Sequence, residues 1–140
     1  MPNQTAASHA RYVPGFHILT YLVILSALFI AIVLTVHRGL SHETVFYLLI
    51  AIAAVLLAFY VRHFAVRNQD RIILSEENFR TYRLTGKTLD PRLHKSQVIA
   101  LRFAADEEFI ALSQKAADEN LTASQIKAAI QTWRADHHRV

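Results

Sequence analysis

Residues 18–36 and 44–61 of this chain carry no charged side chain, 19 and 18 positions respectively, and each is apolar on every side of a helical projection. A helix crossing roughly 30 Å of hydrocarbon needs about 20 such residues, with a range of about 17–25. The first stretch meets that length directly. The second reaches it when Tyr60 and Arg62 extend their polar ends to the interface. Two helices oily all round need a surrounding that the rest of the chain is too polar to supply. The pattern therefore predicts spans at about 16–36 and 44–61, joined by residues 37–43 as an antiparallel hairpin. The first run is longer than the roughly 7–15 residues of a signal-peptide core and has no basic cluster before it, so it reads as retained.

Beyond residue 61 the pattern changes to mixed, helix-compatible segments. Residues 62–83 contain no Gly or Pro and show a broken stripe, Ala65, Asn68, Ile72, Phe79 and Tyr82. Glu76 and Arg80 are spaced for an i,i+4 pair. The second span is expected to continue into this stalk without a break and to stop at Gly86. Asp90 and Pro91 read as a cap and first residue of a short helix carrying Leu93, Val98, Leu101 and Phe103. Asp106 reads as the next cap, with Glu107 and Glu108 in the first turn and Asn120 at the end. Thr122 and Gln125 form a capping box before Ile126, Ala129, Ile130 and Trp133, expected on one helical face. A small core is expected from these apolar residues with Phe109, Leu112 and Leu121; some 55 residues make a marginal unit that leans on the stalk, a second copy or a partner.

The fold class expected is all-α: a transmembrane two-helix hairpin with a cytoplasmic helical stalk and a small helical C-terminal domain. Its parts are a tail at 1–15, the hairpin at 16–61, the stalk at 62–85 and the small domain at 86–140.

Charge sets the orientation. The chain is 53% hydrophobic yet carries a net charge of +4, and its pI is about 9.7. Residues 62–102 hold nine basic and four acidic side chains, net +5, and residues 103–140 hold four and six, net −2. The hairpin loop carries one basic residue, Arg38. Positive flanks stay in the cytoplasm, so both termini are expected there and the 37–43 loop outside. Tyr12, Phe16, Tyr21, Tyr47 and Tyr60 fall at or near the span ends, as interfacial aromatics do. The collar of Arg62, Arg67 and Arg71 suits anionic lipid headgroups, at about 1 kcal/mol per residue near the surface. The acidic distal part makes nucleic acid an unfavoured partner.

Candidate chemistry is sparse. Without cysteine there is no thiol nucleophile, disulfide framework or cysteine-ligated metal. The sequence shows no phosphate loop, nucleophile elbow or HExxH, and the spans lack the ionisable groups or broken helices of transporters. Asp106, Glu107 and Glu108 are consecutive, so they do not share a helical face and read as a capping run. His17 and His63 flank the spans at one interface and are the candidates for a quinone, lipid-headgroup or b-type haem contact. No glycine clears room for a macrocycle inside either span, and the simpler reading is ordinary interfacial histidine. His137 and His138 point apart on a helix and suggest no metal site. No cofactor, metal or small-molecule substrate is called for. Small residues at helical spacing, Ala27 and Ala31 in the first span and Ala51, Ala54 and Ala58 in the second, are the expected helix-packing faces.

Several stretches together resemble an uncharacterised family of small bacterial membrane proteins. They are Asn3, His9, Arg11 and Tyr12, then Pro14-Gly15-Phe16-His17, residues 67–70, residues 100–108 and residues 130–136. Leu101-Arg102-Phe103-Ala104 and Trp133-Arg134-Ala135-Asp136 are the most specific parts. The resemblance implies two spans, a bacterial source and a helical tail, and it implies no activity; with the charge pattern, the expected location is the bacterial inner membrane. The expected role is a non-enzymatic accessory or scaffold protein. Its tail would self-associate or dock a partner or larger membrane complex, with Phe103, Phe109, Ile130 and Trp133 as docking candidates.

Overall fold

The computed structural model describes residues 13–136. The architecture is all-α: a π-helical turn Gly15–Thr20 leads into α1 (Tyr21–Arg38), followed by α2 (His42–Thr85), α3 (Lys95–Leu101), α4 (Asp106–Asp118) and α5 (Ala123–Ala129). The chain divides into two compact units between Ala65 and Val66, within α2. The lower part of α2 thus groups with the tail.

The first unit is the pair of apolar helices. Both are long and apolar enough to cross a membrane, with a mean hydropathy of 2.7 over an 18-residue stretch of Gly15–Arg38 and 2.6 over one of His42–Thr85. The opening turn is wide: Thr20 Oγ1 donates to the Gly15 carbonyl five residues back, at 3.2 Å. The link between α1 and α2 is shorter than the sequence pattern suggests, residues 39–41 only. Gly39 makes it possible, with φ +74 and ψ −177, a region that side chains other than glycine avoid. Ser41 and Thr44 then cap α2 reciprocally. The Ser41 N–H donates to Thr44 Oγ1 at 2.9 Å, and the Thr44 N–H donates to Ser41 Oγ at 3.2 Å. This is a capping box with threonine in the place of the usual acid.

Covered positions of this unit include a heptad series, Ile24, Leu28, Ala31 and Thr35 in α1 and Thr44, Leu48, Ala51, Val55 and Ala58 in α2, with Tyr21, Val33, Leu34 and Ala54 half-buried beside it. A 4–3–4 repeat on two consecutive antiparallel helices is a packing seam, and alanine along it lets backbones approach closely. At the open end of the hairpin, Arg62 lies over the Phe16 ring, 6.0 Å from its centroid.

The second unit is the lower part of α2 with α3, α4 and α5. Ala100, Leu101, Ala104, Phe109, Leu112, Ala116 and Ile126 form its core, flanked by Leu89, Leu93, Leu121 and Ile130. Gly86, with φ +72, follows the end of α2, and its N–H donates to the Tyr82 carbonyl. Asn120, with φ +49, turns the chain after α4, and the Leu121 N–H donates to the Ala116 carbonyl as in a Schellman ending. The capping box at Thr122 and Gln125 is present.

Four local expectations are corrected. Asp90-Pro91 forms a turn, in which Asp90 accepts from the Arg92 N–H, and α3 begins only after His94. The residue before α4 is Ala105, and Asp106 is already in its first turn. Arg80 pairs with Glu77, at i,i+3, in place of Glu76. The last helix ends at Ala129, and Ile130 and Trp133 lie on extended chain. Glu108 explains that end: its carboxylate accepts the Gln131 and Thr132 N–H groups at 3.0 and 2.9 Å, drawing the chain out of helical register.

The broken apolar stripe of the stalk is not the face that the tail covers. Ile72, Phe79 and Tyr82 are exposed, whereas Ile73, Glu77, Arg80 and Thr81 are buried. A charged residue is covered when its partners are covered with it, and a hydropathy pattern does not register that.

Candidate functional site

The most organised feature of the second unit is a polar clasp. After α3 the chain turns through Arg102 and Phe103, and Ala104 forms an isolated antiparallel bridge with Trp133. Residues 132–134 return antiparallel to it. The Arg134 N–H donates to the Phe103 carbonyl at 2.7 Å, and the Ala105 N–H to the Thr132 carbonyl at 3.1 Å. This bridge lays the indole of Trp133 on the ring of Phe103, with centroids 4.6 Å apart and planes 16° from parallel. Arg102 also lies over the Phe103 ring, 4.5 Å from its centroid, and its Nε lies 3.2 Å from an Asp136 oxygen.

Arg80 of α2 joins this clasp to the stalk. Its guanidinium donates to Glu77 Oε2 at 3.0 Å, to Asp106 Oδ1 at 2.6 Å and to the Ala104 carbonyl at 2.8 Å. It also lies 4.2 Å from the Phe109 ring centroid. Arginine suits the place because one planar fork can serve acceptors on three segments while its face rests on an aromatic ring. Glu77 is held from the other side by Arg134 at 3.7 Å. Further down, Lys95 reaches Asp70 at 2.9 Å, and Asn78 accepts the Leu89 N–H at 3.0 Å. Gln97, buried, donates to the Leu121 carbonyl at 2.8 Å and accepts from the His94 N–H, tying α3 to the turn between α4 and α5.

A cleft of about 670 Å³ opens beside the clasp, lined by four arginines and five carboxylates together with Ile73, Phe79, Ala105 and Ala135. Its cations and anions largely face each other, so the lining has the chemistry of a fastening more than of a single-sign ligand site. Among the described residues no group of three or more His, Asp or Glu side chains is placed to hold a metal ion. Apart from the clasp, Arg92 bridges Asp90 and Asp118 at 2.7 and 2.9 Å. Hydrogen bonds from the Arg92 side chain, then from its backbone N–H, hold the Asp90 carboxyl below its ordinary value.

A sequence model of the family of unknown function DUF6526 matches residues 1–140. The chain belongs to that family. The two stretches most specific to the resemblance seen in the sequence, 101–104 and 133–136, are the two sides of the clasp. No curated protein and no solved structure matches this DUF6526 chain.

The remaining candidates fall as follows. Phe103 and Phe109, at 1% and 0% exposure, are core residues and offer no surface for a partner. Ile130 packs on the core and Trp133 on Phe103. Ala31, Ala51 and Ala58 are buried and Ala54 is half-buried, but Ala27 is exposed and belongs to no seam. His17 Nδ1 lies 3.0 Å from the Val13 carbonyl, and His63 stacks on Phe59 with centroids 5.9 Å apart. Each ring thus touches its own helical segment. Arg67 and Arg71 are exposed and Arg62 is half-buried. Tyr12, His137 and His138 lie outside the described residues. Sequence reasoning missed Glu77 and Gln97 and read Glu108 only as part of a capping run; the signal available for the first two was a polar side chain amid apolar core spacing.

Proposed function

We propose that this DUF6526 chain is a two-span protein of the bacterial inner membrane, with both ends cytoplasmic, acting as a non-enzymatic accessory or scaffold protein. The observation that carries the reading is the contrast between the two units. Over the apolar windows only 6% and 17% of positions are buried within the protein. Leu22, Phe29, Leu49 and Leu57 are more than half exposed. Leaving that surface in water costs on the order of 25 cal/mol per Å². The tail, by contrast, buries its own apolar residues. A hairpin in lipid and a folded unit in the cytoplasm satisfies both.

Arg62 and Arg67 would meet anionic headgroups. Arg71 lies nine residues beyond Arg62, roughly 14 Å along the helix, further than the roughly 8 Å Debye length, and is better placed for a protein contact. With charges engaged in fastening the tail to the stalk, the cytoplasmic unit reads as a rigid platform. Affinity purification of the full chain from native membranes, followed by identification of co-purifying chains, tests the role. A partner or a self-complex is expected. A strictly monomeric protein with no stoichiometric partner would contradict it.

A further inference from the structure

We propose that the outward face of the stalk pairs in parallel with the same face of a second copy, as a short two-stranded coiled coil. Asn68, Ile72, Ser75, Phe79 and Tyr82 follow one another at spacings of four, three, four and three, the repeat that keeps one stripe of an α-helix facing a partner. The tail lies on the other side of this helix, over Ile73, Glu77 and Arg80, and Glu76 and Phe79 stand at the rim of the cleft beside the clasp. The stripe is left open: Ile72, Phe79 and Tyr82 are 57%, 63% and 58% exposed. Three large apolar side chains in a line on a surface helix are a contact face awaiting an occupant.

The flanking charges select a second copy and its direction. In a parallel pair, the residue before one seam position meets the residue five further along on the partner helix. Here that sets Arg71 of each copy against Glu76 of the other, giving two opposite-charge contacts per dimer. An antiparallel pair sets each flanking row against itself, Arg71 row on Arg71 row and Glu76 row on Glu76 row. Asn68, polar within the seam, fixes the register by facing its own copy. Two heptads are short for a free coiled coil, but tethering both stalks raises their effective concentration. The pairing rests on the proposed membrane hairpin, which gives both copies the same orientation, and it gives the scaffold reading a named partner.

The chain has no cysteine, so single cysteines report without background. In native membranes under mild oxidation, Asn68→Cys and Ser75→Cys are expected to give a disulfide-linked dimer, and Arg67→Cys, exposed on a different face, is not. Arg71→Glu should weaken dimerisation of the full chain roughly tenfold, two like-charge contacts replacing the two attractive ones, and Arg71→Glu with Glu76→Arg should restore it. Failure of Asn68→Cys and Ser75→Cys to crosslink in a protein that stays in the membrane overturns the pairing and leaves the membrane reading standing. A bond formed only in Asn68→Cys/Tyr82→Cys, or a stripe cysteine linked to a different chain, overturns it as well. Release of the protein from membranes by alkaline carbonate removes the membrane reading itself.

Discussion

Arg80 is the residue on which the second unit turns. It is 6% exposed and its partner Glu77 4%. Breaking a buried ion pair from one side leaves an uncompensated charge and costs about 3–5 kcal/mol. Arg80→Ala is therefore expected to destabilise the tail by that order. Arg80→Lys should recover little, since an ammonium cannot reach Glu77, Asp106 and the Ala104 carbonyl together. Denaturant unfolding followed by the fluorescence of Trp133, the chain's single tryptophan, measures both; a loss under 1 kcal/mol for Arg80→Ala would contradict the clasp. Asp90 gives the pH counterpart. Its folded pKa is lowered by Arg92, so the stability it contributes is complete above the unfolded carboxylate value of about 3.9. That contribution fades as pH falls through the lowered folded value. Asp90→Asn should flatten the acid limb of the tail's stability below about pH 4 and leave the curve near neutrality parallel to the parent. Arg92 is pushed above its already high value and stays charged throughout.

Among the elements, what the sequence made legible follows from where one interaction dominates. The two apolar helices, the stop at Gly86, the turn at Asn120 and the box at Thr122 each rest on a local cause, and each is found. The tail helices were misjudged where a distant group decides. Ile126, Ala129, Ile130 and Trp133 have helical spacing, yet Glu108 captures the Gln131 and Thr132 N–H groups and the helix stops. The inward face of the stalk was missed because it is built from Glu77, Arg80 and Thr81, whose polarity reads as solvent-facing until their partners are known. In the hairpin the spacing of alanines was visible, but not which of two adjacent faces is covered. The seam makes a clear prediction. Ala31→Leu or Ala51→Leu should overpack it and cost about 1–3 kcal/mol, whereas Ala27→Leu, on the exposed side, should be close to neutral. Thermal stability of the three variants in the same mild detergent separates them, and equal effects would contradict the heptad register.

Taken whole, the molecule combines two helices long and apolar enough to cross a membrane with a unit that carries its own core and fastening. Orientation is the claim on which its role depends, because a cytoplasmic partner can meet the clasp and stalk only if they face inward. The cysteine-free sequence allows a direct measurement. Leu40→Cys lies in the link between α1 and α2, where Leu40 is 82% exposed, and Gln114→Cys lies on the exposed side of α4. A membrane-impermeant maleimide applied to intact spheroplasts should label Leu40→Cys and spare Gln114→Cys, and inside-out vesicles should reverse the two. Labelling of both cysteines from the same side, or of Gln114→Cys in intact spheroplasts, would contradict a hairpin that crosses the membrane and keeps its folded tail inside.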